Sequence, residues 1–251
     1  MGFDLGHVRS FRTRLRDSGA YSVDAFLEHN ANDVALGKVA TAHVLLKSEK
    51  FSGAQRVDGW YRYLWSQLMV RLDQFDKNRL SVVTYNYDRS IEHFLFGMMK
   101  SMFPSEEQVC KEKISSIRFI HLHGSLGPLP LQNEHHAMDY GQDLVGAADR
   151  ARIEQSMIVI HEGKDDSPEY NEAFELMTAA ERIYCLGFGY GETNMTRLAL
   201  NRLEWRNNRI CGTSKGLPEM RQNQIRGFLR AQSVQLWPRE CLDFLQEMPL
   251  D

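Results

Sequence analysis

The sequence has few cysteines and no long apolar run, and these absences exclude several classes of protein. The cysteines form no C-x-x-C pair, which argues against a zinc ribbon and against a disulfide framework; they are Cys110, Cys185, Cys211 and Cys241. No run of about 18 apolar residues occurs, so no transmembrane helix is expected. The stretch MGFDLGHVRSFRTRLR has no apolar signal-peptide core, and Gly at position 6 breaks the myristoylation pattern. We therefore expect a cytoplasmic protein in a reducing environment.

The sequence also lacks a surplus of positive charge. The 30 Lys and Arg residues are balanced by 33 Asp and Glu residues, for a net charge of −3. This balance provides no general basic surface, so we expect neither nucleic acid nor a membrane as a partner. With 43% hydrophobic and 25% charged residues, the 251-residue chain is long enough for one large α/β domain or two small ones.

Short apolar segments alternate with helical periodicity over most of the chain. They predict strands at 80–84, 117–122, 157–160, 183–186, 209–212 and 234–237. Strands that alternate with helices are typical of a parallel sheet. We expect an α/β, Rossmann-like fold, with a parallel sheet covered by helices on both faces.

Two regions differ from this alternation. Residues 18–76 are mainly helical: Ser22 is a candidate cap for one short helix, and Asn32 or Asp33 for the next. Residues 127–151 are polar and weakly periodic, which predicts a long loop or lid. We expect a single domain with a helical subdomain at about 18–76 and a sheet core at about 77–251.

Polar residues and glycines follow the predicted strands where each strand ends. Ligands bind at the carboxyl ends of the strands in open parallel sheets. The first such end has TYNYD, in which Asp88 is also a candidate N-cap for the next helix. The second has HLHGS, the fourth LGFGYGETN and the fifth CGTS. One amide, one imidazole, one carboxylate and several glycines are thus predicted at one edge.

Each of these residues also has a purely structural interpretation. Asn86 tolerates turn geometry, His123 can be a satisfied turn histidine, and Asp88 can be only a helix cap. The GFGYG turn lacks the spacing of a dinucleotide-binding fingerprint. A metal could be suggested by His121, His135, His136 and His161, but the two imidazoles of HLH on a strand point to opposite faces, so we expect no metal site.

The combination of motifs resembles the sirtuin-like NAD-binding domain, and most of all its divergent bacterial branch associated with NAD cleavage and antiphage defence. A T-x-N-x-D motif ends one strand in that family, an H-G pair ends the next, and a G-[FT]-[GS] turn ends a later one. The matching residues here are Thr84, Asn86, Asp88, His123, Gly124, Gly187, Phe188 and Gly189. The resemblance covers roughly residue 18 to the C-terminus, including SVDAFLEHNANDVALGKVATAHVLL, which is similar to a helical insertion of that branch.

Two departures from the family pattern limit what the resemblance implies. Deacylase members carry a zinc module with two C-x-x-C pairs, which this sequence does not have, so protein deacylation is not expected. The family also opens with a Gly-Ala-Gly strand and loop whose backbone N–H groups hold the NAD pyrophosphate. Nothing before residue 18 is similar to it. We expect either a fragment of a longer protein or a degenerate paralogue, and in both cases weak NAD⁺ binding by this chain.

The resemblance implies a role for each matched residue. Asn86 would orient the ribose and a water, His123 would accept a proton, and Asp88 would contact the carboxamide of nicotinamide. The other residues that we expect to contact the cofactor, from the resemblance or from their place beside the strand ends, are Thr84, Tyr85, Gly124, Gly187, Phe188, Gly189, Asn194, Gly212 and Thr213. NAD⁺ would be the substrate, and no metal would be needed.

Three functional hypotheses follow. The first is an NAD⁺ glycohydrolase that releases nicotinamide and ADP-ribose, acting as a homo-oligomer or with an additional effector or sensor domain or protein. The second is a module that senses NAD⁺ or ADP-ribose without cleaving it. The third is a structural remnant that acts through protein contacts alone.

Overall fold

The structure is a computed structural model that describes residues 2–20, 22–51, 59–68, 71–133, 137–159, 167–203, 209–230 and 234–248. The chain divides into two compact units, each described by itself below. The first contains Met1–Val57 and Val70–Lys164, and the second contains Asp58–Met69 and Asp165–Asp251.

The described residues form a mixed α/β protein with short strands. The helices are α1 (Leu5–Asp17), α2 (Val23–Leu27), α3 (Val34–Phe51), α4 (Gly59–Gln67), α5 (Ser90–Met102), α6 (Glu107–Ser115), α7 (Gly146–Ser156), α8 (Pro168–Ala179), α9 (Glu192–Arg197), α10 (Glu219–Leu229) and α11 (Cys241–Glu247). The strands are β1 (Ser81–Thr84), β2 (Arg118–His121), β3 (Arg182–Cys185), β4 (Arg209–Thr213) and β5 (Gln235–Trp237).

The first unit contains a two-stranded parallel sheet of β1 and β2. Ser81 is opposite Arg118 and Thr84 is opposite His121, so the two strands end at the same level. Helix α5 begins shortly after β1 and packs against α6, which leads into β2. This β-α-β connection is the usual way to join two parallel strands.

Two apolar clusters lie among the described helices of the first unit. One joins α3 to α7 through buried side chains that include Leu46 and Ile153. The other joins α1 and α2 to the start of α3, with the rings of Phe11 and Phe26 in edge-to-face contact at 5.8 Å. As predicted, Ser22 caps α2, since its hydroxyl accepts a hydrogen bond from the N–H of Ala25 at 3.1 Å.

The carboxylate of Asp33 lies in the interior instead of capping α3. A short 3-10 turn, Ala31–Asp33, leads directly into α3. The Asp33 side chain is 2% exposed and pairs with His7 Nε2 at 2.8 Å and Arg14 Nη1 at 2.7 Å. Asp33 therefore ties α1 to the start of α3.

The second unit contains a three-stranded parallel sheet in the order β3-β4-β5. Helices α4 and α11 pack against each other, and Phe244 of α11 lies against the ring of Tyr184 on β3 at 6.1 Å. Cys211, Phe244 and Leu245 form the buried centre of this packing.

The structure confirms five of the six predicted strands and their parallel pairing. The remaining prediction, a strand at 157–160, is wrong over the described residues 157–159. Met157 forms only an isolated antiparallel bridge with Gly124, and the N–H of Ile158 donates to the carbonyl of His123 at 2.8 Å. The N–H of Met157 still donates to the carbonyl of Ile153 in α7 at 3.0 Å, so it is not available to pair with a strand. Ile160 lies outside the described residues.

Two further differences concern the size of the sheet and the predicted lid. The sequence predicted one sheet, whereas the described strands form two small parallel sheets surrounded by helices. The predicted lid at 127–151 contains the start of α7, an 11-residue helix whose Ile153 is fully buried. Its low hydrophobic periodicity concealed this helix, because one buried residue gives little periodic signal.

Candidate functional site

The turns after β1 and β2 are neighbours in the first unit. Thr84 and His121 are the paired last residues of these strands, and the N–H of Leu122 donates to the carbonyl of Thr84 at 2.9 Å. Asn86 and His123 each lie two residues beyond this pair. Because both strands run in the same direction, their turns lie at the same edge of the sheet. The ring of Tyr85 lies edge-on to the ring of His123 at 5.0 Å.

Asn86 has a firmly held backbone and a solvent-exposed side chain. Its N–H donates to Thr84 Oγ1 at 3.0 Å, and its carbonyl oxygen lies 2.8 Å from His121 Nδ1. Its φ is not positive. Its amide makes no hydrogen bond within the part of the chain that the structure describes. The usual structural reasons for Asn in a turn, a side-chain hydrogen bond or a left-handed backbone, therefore do not apply here.

Asp88 caps the following helix with its carboxylate. Helix α5 begins at Ser90, with Arg89 in the N-cap position. Oδ1 of Asp88 accepts hydrogen bonds from the N–H of Ser90 at 3.1 Å and from its hydroxyl group. Asp88 thus has the predicted capping role, although it lies one residue before the N-cap position of Arg89. One carboxylate oxygen of Asp88 is committed to this contact.

His123 is buried beneath aromatic rings. It is 4% exposed, and the rings of Tyr85 and Tyr87 lie 5.0 Å and 6.4 Å from its own. The hydroxyl of Tyr87 is within hydrogen-bonding distance of the Ile158 carbonyl, at 3.0 Å, and of Asp24 Oδ1, at 3.2 Å. These contacts anchor the aromatic wall against which the imidazole packs.

Gly124 is required by the close approach of another segment. Its φ is +70°, a left-handed conformation that favours glycine. A Cβ atom at this position would lie 1.9 Å from the carbonyl oxygen of Ser156. The glycine of the H-G pair therefore lets the end of α7 pack against the turn that carries His123.

Sequence reasoning missed the role of His121, which lies between two hydrogen-bond acceptors. Its Nε2 lies 2.7 Å from Oε1 of Glu92, a buried residue in the first turn of α5. Its Nδ1 faces the carbonyl of Asn86. Burial alone lowers the pKa of His121, but the hydrogen bond and charge of Glu92, with smaller contributions from Asn86 and Asp88, outweigh it and raise the pKa of His121. The HLH pattern places His121 on the strand, but its partner could be found only from the fold.

A buried ion pair behind the site was also missed. The guanidinium of Arg89 lies 2.8 Å from Oε2 of Glu49 on α3, with both side chains almost fully buried. It also donates to the carbonyl oxygens of Gly127, Met138 and Asp139 at 3.2, 2.6 and 3.2 Å. Arg89 thereby holds the loop after the H-G turn against the start of α5. A charged residue beside a capping Asp carries no sequence signal of burial.

The second unit holds the other predicted residues at the carboxyl ends of β3 and β4. Gly187 and Gly189 are exposed and have φ values of +61° and +69°, which glycine adopts without strain. The N–H of Gly187 donates to Thr213 Oγ1 at 2.9 Å, so this turn is tied to the end of β4. Phe188 lies edge-on to Tyr190 at 5.2 Å. Asn194 lies in α9 and is half-buried.

Gly212 has a packing role that explains the absence of a side chain. A Cβ atom there would lie 2.0 Å from the hydroxyl oxygen of Tyr190 and 3.0 Å from the carbonyl oxygen of Cys185. Tyr190 is fully buried, and burial raises its pKa above the usual range for a phenol. Gly212 thus makes room for a tyrosine that packs inside the unit.

Two observations bear on ligands other than NAD⁺. Among the described residues, no group of three or more His, Cys, Asp and Glu side chains could hold a metal ion. His135, His136 and His161 lie outside those residues. The first unit also has a groove of about 310 Å³, which contains none of the predicted site residues; it is lined by His43, Leu46, Lys47, Lys50, Gln142, Asp143 and Leu144.

Over the described ranges, no helix is both long and apolar enough to cross a bilayer.

Comparison with known proteins identifies no relative. No protein-family model, curated protein or solved structure matches this chain.

Proposed function

We propose that this protein is a sirtuin-like, Rossmann-like NAD⁺ glycohydrolase that cleaves NAD⁺ into nicotinamide and ADP-ribose. The observation that carries the proposal is the exposed Asn86 amide, which makes no hydrogen bond to the described residues while its backbone is held on both sides. A rigid backbone with an outward-facing amide suits ligand binding better than turn formation. The neighbouring His123 turn supplies the second group that the T-x-N-x-D and H-G resemblance implies.

In the proposed reaction, a water oxygen attacks C1′ of the ribose attached to nicotinamide. The C1′–N bond breaks, its electron pair goes to the nicotinamide nitrogen, and the water loses one proton. The Asn86 amide can both donate to and accept from water and ribose hydroxyl groups, so it suits the task of orienting them. Neutral His123 would accept the proton. No metal is needed, because the nicotinamide leaving group is already activated by its positive charge.

A second candidate function is favoured by the burial of His123. Its ring is 4% exposed and is covered by two tyrosine rings, which limits direct access to a substrate in this conformation. If His123 does not reach the substrate, the protein would bind NAD⁺ or ADP-ribose as a sensor without cleaving it. Antiphage defence is the setting that the family resemblance implies for either function.

The test is nicotinamide release by purified wild-type protein, with NAD⁺ and ADP-ribose binding measured by calorimetry. Asn86→Ala and His123→Ala should each lower release by roughly 100-fold or more, the scale for losing a positioned acid–base or orienting group. Asn86→Ala should leave the unfolding free energy within about 0.5 kcal/mol of wild type, because the amide makes no internal hydrogen bond.

Matched controls are Asn32→Ala and His29→Ala, which remove the same side chains at exposed positions. Neither should change release or binding. Wild-type protein that binds NAD⁺ but releases no nicotinamide would favour the sensor. Wild-type protein that neither binds nor cleaves NAD⁺ would contradict both functions.

A further inference from the structure

We propose that Glu92 and His121 form a buried positioning pair that holds the turn presenting the Asn86 amide. His121 spans from the carboxylate of Glu92 on α5, 2.7 Å from its Nε2, to the carbonyl oxygen of Asn86, 2.8 Å from its Nδ1. The importance of this turn for catalysis rests on the proposed function, but the hydrogen-bond arrangement itself does not.

The two acceptors, the Asn86 carbonyl and the Glu92 carboxylate, determine how many protons the His121 ring carries. A neutral imidazole has one N–H donor, and a backbone carbonyl can only accept. His121 must therefore carry a proton on Nδ1 to bond Asn86. A second proton lies between Nε2 and the Glu92 carboxylate. With that proton on the ring, the pair is an imidazolium beside a carboxylate.

Burial makes this pairing necessary for Glu92. Its side chain is 1% exposed, and its Oε2 has no hydrogen-bond partner among the residues that the structure describes. An isolated buried carboxylate is strongly unfavourable, so the Glu92 charge needs a compensating cation. His121, which is 12% exposed, is the cation in contact with it. Asp88 is the other carboxylate whose charge favours protonated His121.

The location of the pair indicates positioning rather than stability alone. A buried ion pair is often no more stabilising than apolar side chains of the same volume. The pair nevertheless lies where α5, the end of β2 and the Asn86 turn meet. Together with Thr84 Oγ1, which accepts from the Asn86 N–H at 3.0 Å, it holds both the N–H and the carbonyl of one residue. These two hydrogen bonds hold the backbone of Asn86 and leave its side-chain amide exposed.

The first part of the test determines the protonation of His121 by ¹⁵N NMR of its ring. Both ring nitrogens of the wild-type protein should be protonated at neutral pH. In Glu92→Gln the charge is lost while an amide remains in contact, so His121 should become neutral with its proton on Nδ1. A wild-type His121 that is neutral and unprotonated at Nδ1 would overturn the proposal.

The second part follows the turn and the reaction. His121→Ala should shift the backbone and side-chain amide signals of Asn86, and should lower kcat for nicotinamide release roughly 10- to 100-fold, a scale typical of lost positioning. Glu92→Gln should lower release less than His121→Ala does, because neutral His121 can still donate to Asn86. His29→Ala is the matched control and should change neither quantity.

The two proposals fail separately. Folded His121→Ala with unchanged Asn86 signals would overturn the positioning role whatever the activity. If the wild-type protein releases no nicotinamide, the proposed function fails, and the NMR signals still decide the role of His121. If His121→Ala does not fold, the ring protonation in wild type and Glu92→Gln decides it.

Discussion

The guanidinium of Arg89 and the carboxylate of Glu49 face each other inside the first unit. Nη2 of Arg89 lies 2.8 Å from Oε2 of Glu49, and the two side chains are 1% and 3% exposed. The same carboxylate oxygen also accepts a hydrogen bond from the N–H of Gly141 at 2.9 Å. A single ion pair thus joins α3, the start of α5 and the loop that follows the H-G turn.

Removing one member of this pair should destabilise the protein strongly. Glu49→Ala leaves the Arg89 charge buried without its counter-ion, which typically costs about 3–5 kcal/mol. The double variant Glu49→Ala/Arg89→Met should be less destabilised than the sum of the single variants, because neither charge remains. Denaturant unfolding of Glu49→Ala, Arg89→Met and the double variant measures this coupling. Additive losses would show that the two side chains do not depend on each other.

Gly124→Ala should destabilise the protein by about 2–5 kcal/mol. The alanine would have a left-handed backbone and a Cβ atom 1.9 Å from the carbonyl of Ser156. Gly19→Ala is the matched control in the same unit, because its φ is +66° but no atom lies within 4 Å of the added Cβ. The control should lose only about 1–2 kcal/mol. Equal losses in denaturant unfolding would argue against the close approach of Ser156.

The pair of His121 and Glu92 should make stability depend on pH on the alkaline side. The folded-state pKa of His121 is raised above the unfolded value of about 6.5, so folding favours the protonated ring. This stabilisation is fully present below about pH 6.5 and is lost as the pH rises through the folded-state pKa. The difference in unfolding free energy between wild type and Glu92→Gln should therefore be largest near pH 6 and shrink at higher pH. A difference that does not change with pH would contradict the charged pair.

Asp33 should make the unfolding free energy depend on pH on the acid side, where its stabilising contribution is lost as the pH falls. Burial alone raises the pKa of Asp33, but hydrogen bonds from Arg14 and His7 and their charges outweigh it and hold this pKa below its usual value. The resulting stabilisation is present above the unfolded value of about 3.9 and is lost as the pH falls through the folded-state pKa. Asp33→Asn should cost about 1–3 kcal/mol near neutral pH and less in acid.

Asp17→Asn is the control for this experiment, because Asp17 is exposed and its one ion pair with a described residue is with its neighbour Arg16. It should change the unfolding free energy by less than about 0.5 kcal/mol at any pH. If Asp33→Asn behaves like Asp17→Asn, the buried pairing with Arg14 and His7 does not stabilise the fold.

Local sequence patterns predicted much of the fold because they reflect local preferences. Small and β-branched residues in SVVT and RICGT mark strands β1 and β4, and both strands are present. The segment at 157–160 is also rich in β-branched residues, but Met157 and Ile158 pair with the turn at His123 and Gly124. Composition specifies that a segment can be extended, whereas its hydrogen-bond partner depends on what lies beside it. The strand prediction failed for this reason.

The positions of the candidate site residues in the fold were predicted in the same partial way. The rule that ligands bind at the carboxyl ends of parallel strands brought Asn86 and His123 to adjacent turns, as the pairing of β1 and β2 shows. The same rule could not identify Glu92 or Glu49, because each is a charged residue on a helix and charged residues are usually exposed. Their burial depends on partners 29 and 40 residues away in sequence.

The sequence by itself determined the alternation of helices with parallel strands and the residues that follow β1 and β2, because periodicity and strand direction are local properties. The tertiary structure alone decided that the Asn86 amide is exposed while its backbone is held, that His123 is buried, and that His121 and Arg89 each meet a buried carboxylate. These features come from contacts between segments distant in sequence. Whether a charge or an amide is paired, buried or free to meet a ligand depends on those contacts rather than on its neighbours in the chain.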